Sequence, residues 1–204
     1  MPSANKQQSE RGRPRKFDET EALSIALKVF QEQGYDAAGT DALSHSMGMK
    51  KQSVYRTFGN KSALFDRCFE SYLTEIVKSL ETSFENANSL RTAFRSCLID
   101  AAEYFHQSQI AGMGCMITVT APVTPEKAPL ARQAIETLEA VLTSQLIKKF
   151  QAEVSAAKML ATLLVAYIQS LAIRARTGTP LNELLATCET FLASLASLPT
   201  KEIS

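Results

Sequence analysis

The stretch Met47–Lys61, "MGMKKQSVYRTFGNK", sets four cations, one Tyr and one Phe around two glycines. Its inner pattern is short and regular. Val54 and Phe58 stand four apart, the spacing of one face of a helix, while Lys51, Gln52, Ser53, Tyr55 and Arg56 fall on the other faces. An eight-residue helix "KQSVYRTF" is too short to contribute much core, so its polar face asks for a purpose beyond solvation.

Working outward from it, helical spacing dominates in both directions. "TDALSHSMG" before it predicts a short helix with Thr40 as N-cap, Leu43 and Met47 inward, and Gly48 as the turn. Earlier still, "DETEALSIALKVFQEQGY" places Leu23, Ala26, Leu27 and Phe30 on one apolar face, and Gly34 is expected to end that helix. After the stretch, Asn60 caps a long helix, "KSALFDRCFESYLTEIVKSLETSF", with Leu64, Phe65, Cys68, Tyr72, Ile76 and Leu80 inward. Beyond the softer "ENANS" come four further segments: "LRTAFRSCLIDAAEYFHQS", "LARQAIETLEAVLTSQLIKKFQAE", "AAKMLATLLVAYIQSLAIRAR" and "LNELLATCETFLASLASL". The Pro-rich "GMGCMITVTAPVTPEKAP" divides the first of these from the second. No alternating strand pattern occurs, and the expected class is all-α.

Composition narrows the function. The 204 residues are 45% apolar and 21% charged, which favours a packed core over disorder. Net charge is only +1, but the chain is asymmetric: residues 1–67 hold 11 Lys/Arg against 8 Asp/Glu, and residues 1–16 hold 5 against 1. The positive charge sits where an anionic partner would be met. The four cysteines are widely spaced, with no CxxC pair and no Cys/His cluster, so neither a zinc site nor a disulfide framework is indicated. His45 and His106 are the only histidines, and neither falls in a nucleophile or metal motif. Nothing calls for a cofactor or an enzymatic reaction. There is no apolar leader and no run of 18 apolar residues, so the expected setting is a reducing cytoplasm, away from membranes.

Two short helices joined by a glycine turn, behind a longer packing helix, have the layout of a helix-turn-helix, whose second helix fits the DNA major groove. Residues 34–65, "GYDAAGTDALSHSMGMKKQSVYRTFGNKSALF", resemble the TetR/AcrR family of bacterial transcriptional regulators. The resemblance rests on Gly34-Tyr35, Thr40, Gly48, Val54-Tyr55, Phe58, Lys61 and Leu64-Phe65. It implies that Thr40, Tyr55 and Lys61 hold backbone phosphates of a double-stranded operator, while Lys51, Gln52, Ser53 and Arg56 face the groove. The chain also departs from the family pattern. Ser44 replaces the usual Ala, Lys50 the usual capping Ser or Thr, and Gln52 a common Gly. Lys50 therefore weakens the cap, offset by phosphate contact, and Gln52 adds a base-reading donor. Upstream, "RGRPRK" resembles the core of an AT-hook, with Arg11, Arg13 and Arg15 as candidate minor-groove contacts.

The resulting expectation is a basic arm over 1–16, a helix-turn-helix domain over 17–63, and a ligand-binding and dimerisation domain over 64–204, bridged by the fourth helix. For the homodimer face the last two helices offer Leu163, Leu164, Leu171, Leu184, Cys188, Phe191, Leu192 and Leu195, with an ordinary monomer core as the competing reading. For a small-molecule pocket the candidates are Phe94, Leu98, Tyr104, Phe105, His106, Met113, Met116, Tyr167 and Gln169. The two glycines of "GMGCM" are expected to loosen a helix start and expose Cys115, as a thiol sensor or, in the blander reading, a structural Cys. The function expected is a ligand-relieved repressor. An activator responding to ligand or thiol chemistry, or a helical interaction protein that has kept the fold, are the alternatives.

Overall fold

The computed structural model describes residues 18–110 and 115–196. Among these residues every regular element is helical: α1 Glu19–Ala37, α2 Thr40–Ser46, α3 Lys51–Phe58, α4 Lys61–Glu85, α5 Leu90–Ile110, α6 Ala128–Phe150, α7 Val154–Arg176 and α8 Leu181–Ala196, with a single π-helical turn, Met116–Thr120, between α5 and α6.

Local chemistry sets the helix starts. Asp18 accepts from the backbone N–H groups of Thr20 and Glu21 at the head of α1, and Asn60 accepts from that of Ala63 at 2.8 Å at the head of α4. Thr40 is not an N-cap, as the sequence suggested. Gly39 holds that position without a side chain, and Thr40 is the first residue of α2. Lys50, at the N-cap of α3, makes no side-chain capping bond. Gly34 does break α1: it takes φ +78°, ψ 172°, but the chain resumes helical geometry for one further turn to Ala37.

Inward residues of α1 to α4 form one core, in which Phe30 and Phe65 meet edge to face at 5.0 Å and Leu43, Val54 and Phe58 close over them. Arg67 on α4 pairs with Glu19 and fixes the start of α1. That core runs on without a break into the one between α4, α5, α6, α7 and α8. Lys149 donates to the carbonyls of Phe84 and Glu85 (2.5 and 2.7 Å), placing a cation at the C-terminal end of α4, where the helix dipole favours it.

α7 is apolar enough, at a mean hydropathy of 1.6 over 18 residues, to match a membrane span in length and composition. One side of it, including Leu160, Leu164, Val165 and Leu171, is buried against α5 and α6. Of the residues expected to form a face between two copies, Leu164, Leu171, Leu184, Cys188 and Leu192 are all buried inside their own chain. They belong to the packing of α7 and α8 on α5. Phe191 and Leu195 are half-buried, and Leu163 is exposed.

Candidate DNA-reading head and effector cavity

Burying Val54 and Phe58 under α3 turns Lys51, Gln52, Tyr55 and Arg56 outward as one exposed face, with Ser53 half-buried at its edge. Thr40, Lys51, Tyr55 and Lys61 come together around a shallow depression where α2, α3 and the start of α4 meet. Residues 21 positions apart in sequence thus share one small surface. Its cations are already engaged. Lys51 Nζ pairs with Asp41 of α2 at 2.9 Å, and this hydrogen-bonded carboxylate raises the lysine pKa. Lys61 Nζ donates to the Asp36 carbonyl at 3.1 Å and stands 4.7 Å from the centre of the Tyr35 ring. These bonds hold the cations in place, and phosphate oxygens could exchange with either partner. Arg11, Arg13 and Arg15 lie outside the described residues.

A cavity of about 520 Å³ opens below the head, in the size range of small-molecule sites. α1 supplies one wall through Thr20, Ser24 and Leu27, and α4 another through Tyr72, Glu75, Ile76 and Leu80. α5 adds Cys97, Asp100, Tyr104 and Phe105, and α7 adds Val165, Ile168 and Gln169. Tyr104, Phe105 and Gln169 of the sequence candidates are therefore at this cavity. The other described candidates are elsewhere. Phe94, Leu98 and Met116 are fully buried packing residues; Tyr167 donates to the Thr187 carbonyl at 2.7 Å and stacks on Phe191; His106 does not line the cavity, and its Nδ1 is buried with no partner. Met113 lies outside the described residues.

Cys115 is buried, contrary to the exposure expected of it. It accepts from the Tyr72 hydroxyl at 3.5 Å and lies 3.6 Å from Thr118 Oγ1. Burial raises the Tyr72 hydroxyl well above its ordinary pKa, and pushes the thiols of Cys68 and Cys97 up to about 12 and that of Cys188 to about 11. Such thiols stay protonated at neutral pH and are poor nucleophiles.

Two contacts missed by sequence reasoning tie cavity to head. Buried Gln31 of α1 donates to the hydroxyl of the cavity residue Tyr104 at 3.1 Å. Lys127, in the turn after the π-helical segment, is itself buried, and its Nζ reaches Asp66 Oδ1 at 2.6 Å and Ser62 Oγ at 2.5 Å on α4. That ammonium also lies 5.2 Å from the Tyr35 ring centre, so both Lys127 and Lys61 stand against the same ring. Cys115, Ile117 and Thr118, a few residues before Lys127, line the cavity.

Known proteins resemble this chain in sequence and in fold. Residues 22–68 match the family model described as bacterial regulatory proteins, tetR family. The chain is 29% identical over 191 residues to the HTH-type transcriptional repressor ComR of Escherichia coli K12, covering 89% of this chain and 90% of that protein. It is 28% identical over 106 residues to the HTH-type transcriptional repressor BdcR of the same organism, about half of either chain. Among solved structures it resembles a cysteine-substituted form of the TetR family transcriptional regulator CifR complexed with 26-bp double-strand operator DNA. The TM-score is 0.78 at 25% identity, over 92% of this chain and all of that one.

Proposed function

We propose, from the premise that the chain belongs to the TetR family of bacterial regulatory proteins, that it is a sequence-specific DNA-binding transcriptional regulator. In this reading it acts in the cytoplasm as a homodimer on an inverted-repeat operator, and a small molecule in the cavity relieves repression. Residues 17–63 are its reading domain and 64–204 its effector and dimerisation domain, with α4 in both.

The observation that carries the reading is the exposed face of α3. Lys51, Gln52, Tyr55 and Arg56 stand on a helix of major-groove size, with Thr40 and Lys61 beside them. Gln52 and Arg56 have the donors that discriminate adenine and guanine; Thr40, Tyr55 and Lys61 suit phosphates. Regulation follows from the cavity walls. A ligand there would touch α1 directly, and through the π-helical segment and Lys127 it would bear on the first turns of α4. It can shift the spacing of two reading heads only if it fits one spacing better than the other. Catalysis has no comparable support: among the described residues no three His, Cys, Asp or Glu side chains are placed to hold a metal, and the cavity holds no histidine.

Selection of genomic fragments by the purified chain at two salt concentrations tests the proposal. One short inverted repeat should be recovered, its affinity falling with a log–log slope of roughly −0.9 per phosphate contact. Recovery of only sequence-blind fragments, or of none, would reject it.

A further inference from the structure

The cavity is chemically one-sided. Among the described residues, Glu75 on α4 and Asp100 on α5 are the only charged side chains in its wall, with no Lys, Arg or His beside them. Neither carboxylate has an ion-pair partner among the described residues. The neighbouring stretch 109–120 contains no cation in its sequence either. Asp100 is held by two hydroxyls, Ser83 at 3.2 Å and Ser96 at 3.4 Å, which orient it without cancelling its charge. The register of α4 on α5, with Ser83 beside Asp100 and Tyr72 beside Tyr104 (6.3 Å between ring centres), puts Glu75 roughly one to two helical turns from Asp100 along the same seam.

The remainder of the wall divides in two. Tyr104 and Phe105, whose rings meet at 5.5 Å and 69°, lie near the carboxylates, and aromatic faces attract cations. Deeper in, Leu138, Val165 and Ile168 make an apolar lining. Two carboxylates without a third ligand do not make a metal site. Resting on the reading of this chain as a ligand-responsive regulator, we propose that its effector is an amphipathic organic cation, with the positive group between Glu75 and Asp100 and the apolar body against α6 and α7. Both carboxylates are solvent-exposed, so an anionic amphiphile of equal size would meet like charge there and bind more weakly than the cation.

Calorimetric titration of the full chain with decyltrimethylammonium, 1-decanol and decanoate tests this, because the three share a tail and differ in head charge. The cation should bind about fivefold tighter than the alcohol, the upper end of one solvent-exposed charge contact, and decanoate weakest. Glu75→Gln combined with Asp100→Asn should bring the cation within about twofold of the alcohol and leave the alcohol unchanged, which also shows that the variant is folded. Alcohol or decanoate binding as tightly as the cation overturns the charge assignment and leaves the effector site standing. A second arm separates the two readings: Ala101→Trp, which fills the cavity, should change operator affinity. If none of the probes binds and Ala101→Trp changes operator affinity, the cationic effector alone is rejected. If none binds and operator affinity is unmoved, the effector reading falls with it.

Discussion

Lys127 is 3% exposed, an unusual fate for a lysine, and its ammonium sits near the N-terminal end of α4, where a helix dipole repels positive charge. What holds it there is Asp66 at 2.6 Å, the Ser62 hydroxyl, and the faces of Tyr35 and Phe65. Asp66 remains about half exposed, so removal of the lysine would leave a carboxylate that water can reach. Lys127→Met is therefore expected to cost about 1–3 kcal/mol, nearer a lost charged hydrogen bond than a broken buried pair. At roughly 2–4 °C per kcal/mol for a chain of this size, the melting temperature should fall by several degrees. A calorimetric scan with an unchanged midpoint would mean the ammonium contributes no net stability. This residue was illegible in sequence. A lysine in a Pro-rich turn reads as solvated, and its partners lie more than sixty positions away. By contrast the outward set on α3 was legible, because burial of Val54 and Phe58 in an eight-residue helix leaves few places for the rest.

Helix boundaries divide along similar lines. Gly34, Gly48 and Asn60 announce breaks through local chemistry, and the breaks occur where they stand. The extra turn Tyr35–Ala37 and the π-helical Met116–Thr120 have no such signal; tertiary packing decides them. Gly34 itself takes φ +78°, ψ 172°, a region open in practice only to glycine, and a methyl group added there would touch nothing within 4 Å. Its cost would therefore be conformational rather than steric against neighbours. Gly34→Ala is expected to destabilise the chain by roughly 1–3 kcal/mol, read as a lower urea midpoint at unchanged slope. Because Tyr35 and Asp36 follow directly and hold Lys61, the same substitution should weaken operator binding. Full stability and full operator affinity in Gly34→Ala would show that the kink is not required.

For the molecule as a whole, the pattern of α7 explains why sequence alone does not tell which of its sides faces outward. A helix apolar nearly all round gives no direction in sequence, and only the packing of α5 and α6 selects which side is covered. That packing uses Leu164 and Leu171 and leaves a different stripe exposed: Met159, Leu163, Ala166 and Ile173, with Ser170 half-buried among them, one face at helical spacing. Met159 is 42% exposed, Leu163 40% and Ile173 53%, more apolar surface than a single exposed side chain would explain. Exposed Ala186, Thr190 and Ala193 present small residues along α8, which packs against α7 through the Tyr167–Phe191 stack. A two-fold mate would bury both faces and set two reading heads side by side. Leu163→Glu with Ile173→Glu, both at exposed positions, should leave the fold intact and sediment as a 22.3 kDa species. Because each head then binds its half-site alone, operator affinity should fall by roughly 10²–10⁴-fold, the size of a lost intramolecular second contact. Non-specific binding at low salt should persist, since it depends on the cations of one head. A variant that still sediments as a dimer would place the interface elsewhere, and a monomer with undiminished operator affinity would separate recognition from pairing.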